Sequence, residues 1–142
     1  MEPEIRRDRS LEDVEGDRWA APSGETTYLI SEVHKLRRKS VGELTVEDLR
    51  LLIGQLIGLP VLVPLAIEKL RLDPLAEGHM YEGDLLASVV RVGGDFWTAH
   101  PTFTGQVGAI LDGLPNPPDL LARDIKRFRE LTAFSPRDVG IT

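Results

Sequence analysis

A chain of 142 residues with a formal net charge of −6 and no cysteine has room for one domain that buries roughly two-thirds of its unfolded surface, and not for two. The absent cysteines exclude a disulfide frame and a thiolate metal site. The acidic balance argues against nucleic-acid binding, which needs a concentrated basic face to displace counterions from phosphates.

Residues 1–17 are charged and hold no apolar stretch, so no Sec-type signal is expected and the cytoplasm is the expected compartment. Residues 1–9 read as a mobile charged tail. Ser10 followed by Asp13 forms a capping box for a short helix through Val14 that Gly16 ends. Trp19, Pro22 and Gly24 mark a loop. Thr26 or Thr27 then starts an amphipathic helix with Leu29, Ile30, Val33 and Leu36 on one stripe, ending near Lys39. Lys35, Arg37, Arg38 and Lys39 crowd its last turn, where cations complement the negative pole of the helix dipole.

The stretch from Gly42 to Leu75 carries the strongest fold signal. Thr45 and Asp48 are placed for a reciprocal capping box, with Leu44 and Leu49 as a hydrophobic staple. From Leu51 to Ile67 only Gln55 is polar, a length at the short end of the roughly 17 to 25 residues that span lipid. The Gly58-Leu59-Pro60 break divides it instead into two helices, each too short to cross a membrane. Gly58 suits the left-handed residue past one helix end, and Pro60 the first turn of the next. The second helix runs to about Leu72 and stops before Asp73-Pro74, with Pro64 near its start. Apolarity on all sides makes this pair the expected central hairpin of a helical core.

A linker with Glu77, Gly78, His79, Met80, Tyr81 and Glu82 follows. Asp84 can cap a helix carrying Leu85, Leu86, Val89, Val90 and Val92, though the β-branched cluster leaves a strand open. Gly93-Gly94 ends it. Asp95 can cap a single turn with Phe96 and Trp97, and Thr102 to Leu111 offers a helix broken by Pro115-Asn116-Pro117-Pro118. The last helix runs from Asp119 to about Phe134 with Leu120, Leu121, Ile125, Phe128 and Leu131 apolar, before a tail from Ser135. The expected architecture is an all-α, single-domain bundle of about five to seven helices over residues 1–142, with 115–142 as a one-helix extension.

Chemistry is sparse. His34, His79 and His100 sit among carboxylates, so a metal-dependent hydrolase is a second reading, but none forms a spaced ligand pair. No nucleophile elbow, P-loop or dinucleotide fingerprint occurs. Glu43, Glu47 and Asp48 complement a helix N-terminus. No catalytic residue, metal or cofactor is therefore expected. Trp19 and Trp97 read as core plugs, with interface anchors as the other use of exposed tryptophan. Two acidic clusters remain, Glu12, Asp13, Glu15 and Asp17 near the start, and Glu77, Glu82 and Asp84 with His79 and Tyr81 around the linker. Carboxylates flanking an aromatic on a loop can cover a cationic cleft on a partner.

Three segments lie in an order and spacing that resemble the bacterial contact-dependent growth inhibition immunity proteins. They are LEDVEGDRW from Leu11 to Trp19, HKLRRKSVGELTVEDLRLLIGQLIGLPVLVPLAIEKLRLDPLAEG from His34 to Gly78, and YEGDLLASVVRV from Tyr81 to Val92 followed by Phe96-Trp97. The resemblance covers roughly Leu11 to Leu111. It implies a small cytoplasmic helical protein, not an enzyme, that binds and neutralises the cognate C-terminal toxin domain of a large exoprotein, with many such toxins being nucleases. The implied partner is a protein, with no nucleic acid, membrane or small-molecule substrate. An acidic helical adaptor for another partner is the remaining alternative.

Overall fold

A computed structural model describes residues 7–20, 24 and 27–133. Among them are eight α-helices and no strand, so the chain is all-α. The helices are α1 (Leu11–Glu15), α2 (Tyr28–Arg37), α3 (Val46–Gly54), α4 (Leu59–Leu72), α5 (Asp84–Val90), α6 (Gly94–Ala99), α7 (Pro101–Asp112) and α8 (Asp119–Ala133), with a 3₁₀ turn at Val41–Glu43.

Local chemistry sets most of the starts. The Ser10 hydroxyl accepts from the Asp13 N–H at 3.1 Å, and Gly16 closes α1 in the left-handed region. Thr27 caps α2. Thr45 and Asp48 make both bonds of their box, at 3.1 and 3.0 Å. Pro60 and Pro64 lie within α4. The N–H that Pro64 lacks would have reached the carbonyl of Pro60, an exposed residue that water can serve.

Four local expectations change, one of them the start of α6, which Gly93 caps while Asp95 lies in its first turn. Residues 7–9 are not a free tail: the N–H groups of Val41 and Gly42 donate to the carbonyls of Arg9 and Arg7 at 2.8 and 2.9 Å, and Arg7 pairs with Glu68. The cap of α5 is Gly83, left-handed at φ 87°, and the Asp84 side chain folds back into the preceding loop. Gly58 is left-handed, φ 63°, but it caps α4; the left-handed residue that closes α3 is Leu56, φ 60°. A Cβ at Gly58 would also come within 2.6 Å of the Leu11 side chain, so glycine is required there.

The core is continuous. Helix α5 is its centre, buried at every residue from Asp84 to Val90. It packs most extensively on α3, and also on α4 and α8. The expected α3–α4 hairpin forms, with Leu49, Leu52, Ile53, Leu62, Val63 and Leu70 inside. Trp97 is a core plug, donating from Nε1 to the Val92 carbonyl at 2.9 Å and meeting Phe128 edge-on. Two stripes are only half used: Val33 and Leu36 of α2 are buried while Leu29 and Ile30 are exposed, and Leu120 and Leu131 of α8 are exposed beside buried Leu121, Ile125 and Phe128.

Candidate functional site

The two acidic clusters are built differently. In the first, helix α1 faces the basic end of α2. The Glu12 carboxylate is 8% exposed and stands 3.7 Å from Nε of both Arg18 and Arg38. Asp13 lies 3.7 Å from Arg18, and Glu15 pairs with Nη2 of Arg37 at 3.1 Å. Asp17 contributes its carbonyl to Arg37 Nη2 at 2.7 Å and its carboxylate to Nε1 of Trp19 at 3.3 Å. Arg37 itself is buried, with its Cζ 4.1 Å over the Trp19 ring, whose edge meets His34. Ser10, Glu12, Asp13, Arg18 and Arg38 line a cleft of about 360 Å³. The α2 cations thus hold α1 in place; Lys39 reaches Asp48 at 2.9 Å. Besides standing at the negative pole of α2, three of the four cations of the basic cluster pair with other elements, Lys35 pairing with Glu32 inside the helix, and Arg18, Arg37 and Arg38 offset the carboxylates of α1.

The second cluster is a loop pinned from inside. Asp84, 2% exposed, accepts from the backbone N–H groups of Gly78 at 2.6 Å, Met80 at 2.9 Å and Tyr81 at 3.3 Å. Glu47 of α3 accepts from the His79 N–H at 2.8 Å and from Arg50 Nε and Nη2 at 2.7 and 2.6 Å. Arg50 Nε also stands 3.8 Å from Asp84, which gives the buried carboxylate a counter-charge. Hydrogen bonding by Arg50, opposed by burial and helped by the His79 N–H, holds the Glu47 carboxyl below its usual range. Arg91 Nε donates to Asp124 at 2.8 Å, and its Nη2 to the Tyr81 hydroxyl at 3.3 Å, tying the loop to α8.

The expected contact residues divide accordingly. Glu77, His79 and Glu82 are exposed, and Glu77 and Glu82 take part in no ion pair or hydrogen bond among the described residues. Tyr81 is half-buried, and Asp84 is interior, so its charge shapes the loop from within. Met80, 65% exposed between the two acids, was not singled out by sequence, nor were Arg50 and Arg91. The Glu47–Arg50 spacing is a helical i,i+3 pair and was legible; the His79 and Asp84 bonds join segments that only the fold brings together. The three histidines lie apart, His34 against Trp19, His79 on the loop and His100 in a ring cluster with Phe96 and Phe103. Among the described residues no group of three His, Asp or Glu side chains could hold a metal ion, and no helix is long and apolar enough to cross a membrane.

Over residues 13–107 the chain matches a family described as CDI immunity proteins. No curated protein and no solved structure matches it. The matched stretch runs from α1 into α7 and contains nearly all of both acidic clusters, leaving α8 outside.

Proposed function

The chain belongs to the CDI immunity proteins, a family whose role is inhibition by binding, and on that footing we propose that it neutralises the C-terminal toxin domain of a contact-dependent growth inhibition exoprotein in the cytoplasm. The toxin is a nuclease with a basic substrate groove, and the immunity protein covers that groove or the active site without turning over any substrate. What supports this reading is the pair of exposed carboxylates Glu77 and Glu82, unpaired among the described residues, on a loop ordered from beneath by Asp84 and Glu47. A loop already held in one shape loses little entropy on binding, and its unpaired acids complement a cationic groove. Glu12, Asp13, Glu15 and Asp17, being paired, form the weaker candidate surface.

Co-expression with the toxin domain encoded beside it tests the proposal. Restored growth and a co-purifying complex with an interface of about 800 Å² per side are expected. Growth arrest with no complex would reject it.

A further inference from the structure

Helix α3 ends in a turn whose two bonds run from the Leu56 N–H to the Ile53 carbonyl at 2.9 Å and from the Ile57 N–H to the Leu52 carbonyl at 3.0 Å. This pairing places the residue after the helix cap in the left-handed region, a position that glycine fills far more readily than any other residue. Here it is leucine, φ 60°, the one non-glycine residue with positive φ among those described. A Cβ in this conformation crowds the following carbonyl. Burial does not compensate, because the Leu56 side chain is 63% exposed and is not among the apolar side chains packed on the core. Strain weighs against the folded state and the exposed side chain offers little burial to offset it, so the fold gives no reason for a leucine here.

The surroundings state what kind of contact would. From Leu51 to Ile67 there is no ionisable residue, in a chain that is 28% charged. Ile57 and Leu59 beside Leu56 are half-exposed and Pro60 is exposed. Gly58, seated on Leu11, anchors the far side of the loop. We infer that Leu56 is the apolar anchor of a second contact with the cognate toxin domain, inserting into an uncharged, apolar socket on that protein. The inference takes the partner from the function proposed above, and it adds a surface: Leu56 follows the C-terminal end of α3, whereas Glu47, which holds the acidic loop, lies in its first turn. A neutral socket is the matching occupant, since a charged one would be stripped of water against the Leu56 side chain, which offers it no ion to pair with.

The test uses the whole chain with Leu56→Gly and Leu56→Asn, both residues that accept the left-handed region. Thermal unfolding is read beside calorimetry and binding kinetics against the toxin domain encoded next to the chain. Both variants should hold their Tm, the glycine variant gaining about 3 to 5 °C, while toxin affinity falls about 10- to 100-fold, chiefly through faster dissociation. Affinity equal to the unaltered chain would overturn the inference and leave the proposed function standing. A drop of several degrees in both variants would equally overturn it, marking Leu56 as a structural plug. So would toxin affinity that survives while a dimer of the chain, or its binding to phosphatidylglycerol vesicles, is lost. If the unaltered chain fails to bind the toxin domain at all, the proposed function falls and takes this inference with it.

Discussion

Asp84 shows how a residue type legible as a surface acid becomes an internal part. Its position after Gly83 suggested a helix cap and a contact residue, yet its carboxylate satisfies three loop N–H groups beneath the surface. Asp84→Ala leaves those donors without an acceptor and Arg50 short of a counter-charge. A loss of about 2 to 4 kcal/mol is expected in urea unfolding, with Asp84→Asn in between because it keeps one acceptor oxygen. A loss under about 1 kcal/mol would mean that water replaces the carboxylate. Glu47 adds a pH dependence. Its folded-state pKa lies below the ordinary value of 4.5, so its stabilising contribution is present above that value and fades as pH falls through the folded one. The urea midpoint should therefore decline below pH 4.5 in the parent chain, and Glu47→Gln should show a smaller decline. Equal acid-side slopes would remove Glu47 from the account.

At the scale of elements, the caps of the first three helices were read correctly, because each depends on neighbours along the chain: Ser10, Thr27 and Thr45 start α1, α2 and α3, whereas Asp84 and Asp95 lie inside α5 and α6, which Gly83 and Gly93 cap. Which face of each helix is covered was less legible. Leu120 and Leu121 are equivalent to a periodicity argument, but one is exposed and the other sits against Gly83 and the core. Helix α8, which reads as an extension, packs on α5, α6 and α7 and is integral to the bundle. Phe128→Ala should accordingly cost about 3 to 4 kcal/mol in chemical denaturation, since the ring is 1% exposed and lies edge-on to Trp97 at 5.1 Å. A cost near that of an exposed substitution, about 0.5 kcal/mol, would make α8 the appendage that its sequence suggests.

Over the whole molecule the net charge of −6 is unevenly available. Much of the acid near the N-terminus is offset by the basic end of α2, across separations along the chain that no spacing rule covers, such as Glu12 with Arg38 and Glu15 with Arg37. Among the described residues Glu77 and Glu82 remain unpaired. If they steer a cationic toxin, Glu77→Lys with Glu82→Lys should slow association about tenfold or more at low salt and much less near 0.5 M, where screening acts within a few ångströms. Stopped-flow kinetics at the two salt concentrations decide it, and salt-independent rates matching the parent would take the loop out of the interface. Reversal at Asp13 and Asp17 is expected to have the smaller effect, because Arg18 and Trp19 already engage those carboxylates.

Sequence by itself determined that the chain is helical and where most helices begin, because capping, proline geometry and apolar period act over a handful of adjacent residues. Its ordered segments also carried the family resemblance. Tertiary structure alone decided which carboxylates are spent inside, which leucine closes α3 in a strained turn, and which charges still face outward. Those outcomes rest on approach between residues far apart in the chain, as between Glu47 and His79, and burial and pairing are properties of that approach rather than of residue type.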